Sequence, residues 1–101
     1  MSKRSSKTPS ESKIETDHAD WLKKRGGLSI KLDVKSRVGV PDRLIVLPGG
    51  RIFFIEFKKL GEAPDPIQWD FHKRLARRGA TVYTCDSLEE AQRVTGLEEQ
   101  L

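Results

Sequence analysis

Apolar positions along the chain fall into short patterned stretches separated by glycine, proline and polar loops. Ile14, His18, Trp21 and Leu22 share one stripe at 100° per residue, which predicts a helix over about residues 11–25. Ser10 is placed to cap it and Gly26-Gly27 to end it. Glu11 and Glu15 flank the same stripe, an odd place for two acids. Leu28, Ile30 and Leu32 alternate with Ser29 and Lys31, the period of a strand with one buried face. A polar loop from Asp33 to Pro41 follows, holding Lys35, Arg37 and Gly39. Arg43 to Leu47 and Arg51 to Phe57 flank Pro48-Gly49-Gly50 and read as a hairpin. Both of its strands are apolar on both faces, as expected where a sheet is covered on both sides. A second helix is predicted from about Ile67 to Arg78, with Ile67, Phe71 and Leu75 as its apolar stripe and Gly79 as its stop. Thr81 to Cys85 is β-branched and aromatic and reads as a strand, and Ser87 caps a last short helix from Leu88 to about Val94. The order helix, three strands, helix, strand, helix predicts a small α/β sandwich.

At 101 residues the chain has room for one core. Residues 1–10 carry Lys3, Arg4 and Lys7 without an acid and are expected to be a disordered basic tail. The domain is expected over residues 11–95, with 96–101 as a short C-terminal tail. No apolar run nears the roughly 20 residues that span a bilayer, and the first residues lack the apolar segment of a secretory signal. A soluble intracellular protein, with no membrane partner, is the expectation. A lone cysteine, Cys85, excludes an internal disulfide framework and a cysteine zinc cluster and reads as a small core residue. The formal net charge of +4 favours phosphate-bearing partners.

What changes the picture is where two acids fall. Acids are depleted in strands, yet Asp42 and Glu56 sit at the outer ends of two very apolar ones. A three-residue loop Pro48-Gly49-Gly50 makes Leu47 face Arg51 and, further out, Asp42 face Glu56, with Cβ atoms about 5 Å apart. Lys58 then projects from the same face. A two-residue loop would turn Glu56 to the other face. Two carboxylates so placed disfavour each other's ionisation unless a cation lies between them. Mg²⁺ suits such a pair with a backbone carbonyl and waters, and would make a hydrolytic site for an anionic ester. The alternative is that both acids form ordinary salt bridges with Arg43, Lys58 or Lys59.

Gly39-Val40-Pro41-Asp42, followed fourteen residues after Asp42 by Glu56-Phe57-Lys58, resembles the PD-(D/E)xK nucleases. More narrowly the chain resembles the VRR-NUC family, the virus-type replication-repair nucleases, in its stand-alone phage form. The resemblance includes Glu11, Ile14 and Glu15, then Gly26-Gly27, Asp42-Arg43, Leu47 to Gly50, Phe54 to Lys58 and Gln68, and covers residues 11 to about 95. It implies a mixed central sheet flanked by helices in the order α-β-β-β-α-β-α, and Mg²⁺- or Mn²⁺-dependent cleavage of DNA phosphodiesters. Asp42, Glu56 and the Phe57 backbone carbonyl would hold the metal and Lys58 would be the catalytic lysine. Glu15, resembling the helix glutamate of archaeal junction resolvases in its distance to Gly26, would join them, with Glu11 as runner-up. Glu11, in the first turn, also suits the helix dipole.

Gln68 would face the metal site or the scissile phosphate, although Asp65, Pro66 and Gln68 also form a capping box. The resemblance further implies a homodimer that resolves branched DNA, Holliday junctions foremost, in the cytoplasm of a bacterial host, with no small-molecule cofactor. Lys31, Lys35, Arg37 and Lys59 are the foremost candidates for phosphate contacts, followed by Lys73, Arg74, Arg77 and Arg78; each also suits a solvated charged face. Trp69 and His72 fall off the helix stripe, and an exposed Trp69 would suit a subunit interface or packing under a loop. His18, where the family resemblance leads one to expect an aliphatic residue, is expected to alter the rim rather than the chemistry; it and His72 are too isolated for metal ligands. Two other functions fit the residues: a non-catalytic basic DNA-binding module, and a restriction- or nicking-type endonuclease on duplex DNA.

Overall fold

In a computed structural model of the chain, the structure describes residues 8–34 and 37–97. The elements are α1 (Glu11–Lys23), β1 (Leu28–Lys31), β2 (Arg43–Val46), β3 (Ile52–Phe57), α2 (Pro66–Arg77), β4 (Val82–Cys85) and α3 (Leu88–Thr95). The strands form one sheet in the order β1-β2-β3-β4, antiparallel except for the parallel β3–β4 pair. A mixed sheet of this kind needs a crossover, and α2 supplies it. No helix among the described residues is long and apolar enough to cross a membrane.

Local chemistry starts each helix. Ser10 Oγ accepts the Lys13 N–H at 3.1 Å, and Ser87 Oγ accepts the Glu90 N–H at 3.1 Å. Asp65 and Gln68 exchange side-chain and backbone hydrogen bonds of 2.9 and 3.0 Å, a full capping box behind Pro66.

Ile45, Phe53, Ile55, Phe57 and Cys85 project from one face of the sheet and are buried against Ile14 and Leu22 of α1 and Ala91 of α3. Burial pushes the Cys85 thiol up to about 12, so it stays a neutral core group. Leu97 packs against this core from beyond α3. The opposite face is covered only in part, because α2 reaches the sheet at its β4 edge.

That half-covered face explains two departures from the expectations. Leu28 and Ile30 of β1 are exposed rather than buried, since β1 is an edge strand beyond the reach of α2. Ile67 is exposed too: α2 keeps Phe71 and Leu75 of the predicted stripe inward but turns Gln68 and His72 in beside them in place of Ile67. The rotation brings the Gln68 amide to Glu56, an attraction that an apolar pattern does not register.

His18 departs as well. It is fully buried, stacked on Trp21 with ring centroids 5.7 Å apart, and so belongs to the core rather than to any rim. Thr95 Oγ1 donates to the Ala91 carbonyl at 2.7 Å and accepts the His18 Nε2–H at 3.0 Å. Burial, with Arg43 nearby, lowers the His18 pKa to about 4.

Candidate active site

The loop that delivers Asp42 runs hard against α2. Gly39 has φ +87°, and a Cβ there would come within 2.8 Å of the Ile67 carbonyl oxygen. No other residue permits both the left-handed backbone and that approach. Pro41 is buried behind it, and the Asp42 carbonyl accepts the Leu32 N–H at 2.9 Å, which ties the loop to the end of β1.

The hairpin sets what faces Asp42. The Gly50 N–H bonds the Leu47 carbonyl and the Leu47 N–H bonds the Arg51 carbonyl, both at 2.9 Å. Pro48-Gly49-Gly50 is thus a three-residue loop, with Gly49 at φ +92° and Gly50 at φ +95°. Arg43 pairs with Ile55, so one step outward Asp42 stands opposite Glu56. Glu56 and Lys58 share a side by strand alternation, and Lys58 Nζ lies 3.5 Å from Glu56 Oε2. Asp42 Oδ2 accepts the Phe57 N–H at 2.8 Å, so the carboxylate replaces a ladder bond at the mouth of the hairpin.

Glu56 is only 2% exposed. Its Oε2 takes the Lys58 ammonium and, at 2.8 Å, the Gln68 Nε2–H. Its Oε1 is buried without a partner. Burial, and then the charge of Asp42, push the Glu56 pKa up to about 7. Burial likewise raises Asp42, opposed by the Phe57 N–H, with Glu15 adding to the rise. A buried carboxylate oxygen without a donor, beside a second carboxylate, is an unfavourable arrangement in the absence of a cation. The donor set fits a hard divalent ion, although no group of three or more His, Cys, Asp or Glu converges on one point among the described residues.

The two glutamates of α1 behave differently. Glu15 is buried, and its Oε2 is held by Arg43 Nε at 2.6 Å and Lys31 Nζ at 3.0 Å. Glu11, one turn earlier and half-buried, adds to the negative field at Glu56. Gln68 closes the capping box with Asp65 and at the same time donates its Nε2–H to Glu56. Lys31 is engaged with Glu15; Lys59 and Arg37 are exposed, the latter with its guanidinium 5.7 Å from the Phe71 ring. Lys35 lies outside the described residues.

Two residues near the site were not singled out by the sequence reasoning as functional. Arg43 projects into the otherwise apolar inner face of β2 and also bonds the Ser29 carbonyl at 3.3 Å. A charge at an inward-facing strand position is a signal the alternation of β2 contains. His72 is buried on the inner side of α2, and no periodicity distinguishes it from a surface histidine.

No family model matches the chain. It is 43% identical over 77 residues to the "Putative nuclease p44" of Acyrthosiphon pisum secondary endosymbiont phage 1, covering 76% of this chain and 83% of that protein. Among solved structures, one described as "VRR_NUC domain" superposes with a TM-score of 0.78 at 34% identity, covering 87% of this chain and 96% of the other. Sheet order, crossover and a near-complete overlap at these identities have one reading: the chain belongs to the VRR-NUC family of nucleases.

Proposed function

We propose that this nuclease hydrolyses phosphodiesters in branched DNA, Holliday junctions foremost, with Mg²⁺ or Mn²⁺ held by Asp42, Glu56 and the Phe57 backbone carbonyl. The observation that carries the reading is the buried, unpartnered Oε1 of Glu56 opposite Asp42. When bound, the ion would lower the pKa of a water and offset charge developing on the phosphate. Lys58, held at Glu56, orients the attacking water or stabilises the charged phosphate. Gln68 keeps Glu56 in place. Of the two α1 acids, Glu11 is the better third carboxylate, because Glu15 is already neutralised by Arg43 and Lys31.

Lys31, Lys35, Arg37 and Lys59 contact backbone phosphates on this reading. The protein acts as a homodimer, supported by Leu28, Ile30 and Ile52, which leave apolar surface exposed on the part of the α2 face of the sheet that α2 itself does not reach. Its setting is the cytoplasm of a bacterial host, in keeping with the phage relative.

Purified protein is incubated with four-way junction, flap and linear duplex DNA, in Mg²⁺, Mn²⁺ or EDTA. Cleavage of the four-way junction with metal alone is the expected result. Binding without cleavage would make the protein a DNA-binding module, and sequence-defined cutting of linear duplex would make it a restriction- or nicking-type enzyme.

A further inference from the structure

Between α2 and the edge strand β4 lies a cavity of about 140 Å³ lined by Trp69, His72, Lys73, Ala76, Val82 and Thr84. The space far exceeds the roughly 10–15 Å³ that admits one water. Trp69 leaves 53% of its surface exposed, and Lys73 is an exposed cation in the same wall. His72 is 4% exposed and its Nε2 is buried without a hydrogen-bond partner. An exposed indole, an unpartnered imidazole nitrogen and an adjacent cation around an apolar hollow are costly for a fold and useful for a ligand.

The place of the cavity narrows what that ligand is. Thr84 is the register partner of Glu56 on the neighbouring strand, about 5 Å away. His72 follows Gln68 by one helical turn, and Gln68 holds Glu56. The hollow therefore opens one strand away from the carboxylate pair. We infer that it takes an unpaired nucleobase adjoining the cut, stacked on Trp69, its polar edge toward His72 Nε2 and its phosphate near Lys73. The inference rests on the proposed nuclease reading and sharpens its substrate. A base inside a continuous duplex cannot leave the stack without an unpairing cost, which is smaller for a base pair at a branch point and absent for a base in a flap or gap. Stacking on an aromatic accepts any base, so the cavity selects DNA shape rather than sequence.

The test uses branched DNAs that differ only at the unpaired nucleotide beside the cut, which carries either 2-aminopurine or an abasic site. Wild-type protein with Mg²⁺ is expected to cut the base-bearing DNA about tenfold faster than the abasic one at subsaturating DNA. Trp69→Ala should cut both at the slower rate, and Trp69→Phe should restore the difference. In EDTA, binding should quench 2-aminopurine fluorescence with wild type and not with Trp69→Ala. Equal rates on the two DNAs, or no quenching by wild type, overturns the inference and leaves the nuclease reading intact. Quenching by a wild-type protein that cuts no DNA supports the cavity assignment while the nuclease reading fails. Conversion of a dimer to a monomer by Trp69→Ala, seen by size exclusion, overturns the inference, because a second copy would then cover the cavity.

Discussion

Gln68 donates its Nε2–H to Glu56 Oε2 at 2.8 Å while its backbone N–H and Oε1 are bonded to Asp65 at 2.9 and 3.0 Å. The residue that closes the first turn of α2 is thus also the one that holds a buried carboxylate of β3. The start of the helix and the position of the carboxylate are coupled, which is why α2 turns Gln68 toward the sheet and leaves Ile67 in water.

Separating the two bonds gives a first prediction. Asp65→Ala removes the cap and keeps the bond to Glu56, so it should cost about 1 kcal/mol of stability with cleavage near wild type. Gln68→Ala should cost a similar amount of stability and slow cleavage about tenfold or more. Melting curves and single-turnover rates check both; equal rates in the two variants would detach Gln68 from the site.

Glu56 titrates near 7 in the fold against an ordinary 4.5. Between those values the folded chain binds more protons than the unfolded one, so this group makes stability fall as pH rises through the window. In EDTA, Glu56→Gln should therefore be more stable than wild type at pH 8, by roughly 1–3 kcal/mol, and lack that slope. Mg²⁺ should stabilise wild type and leave the variant unmoved. Glu56→Gln and Asp42→Asn should both lose cleavage while binding DNA, and near wild-type cutting by either would refute the site assignment.

His18 has the opposite sign. Its pKa is about 4 in the fold against an ordinary 6.5. The unfolded chain binds the extra proton, so stability is full above pH 6.5 and drains away as pH falls toward 4, by up to about 3 kcal/mol. His18→Leu leaves Thr95 bonded to Ala91 and should flatten this acid limb. Melting temperatures from pH 4.5 to 7.5, in a Glu56→Gln background, isolate the effect; an unchanged limb would show that His18 does not cause it.

Gly50→Val places a β-branched residue at φ +95° and should cost about 1–3 kcal/mol. A one-residue slip that relieves the strain would turn Glu56 away from Asp42. Cleavage should then fall further than the loss of stability explains. Wild-type melting and wild-type cleavage together would contradict this account of the register.

Junction binding should weaken steeply with salt, and Lys35→Ala and Arg37→Ala should each flatten the log–log slope by about one unit. Lys31→Ala should in addition release one of the two cations on Glu15 and lower stability. An unchanged slope in the Lys35 and Arg37 variants would return both residues to a solvated surface.

Much of this protein was legible along the chain because it is local. Ser10, Asp65 and Ser87 begin their helices by bonds to residues three positions on, and Pro48-Gly49-Gly50 sets the hairpin register that places Asp42 opposite Glu56. Each depends on neighbours whose spacing is written in the sequence. What only the tertiary structure decided is which faces are covered and where each charge finds its partner. Alternation puts Leu28 and Ile30 on one side of β1 but is silent on whether a helix lies over them, and a single α2 cannot cover four strands. Glu15 sits one turn from Glu11 on the same helix, yet Arg43 and Lys31 neutralise it from strands far along the chain. His18 and His72 are buried for the same reason, since burial depends on what packs from elsewhere and periodicity records only which residues share a side.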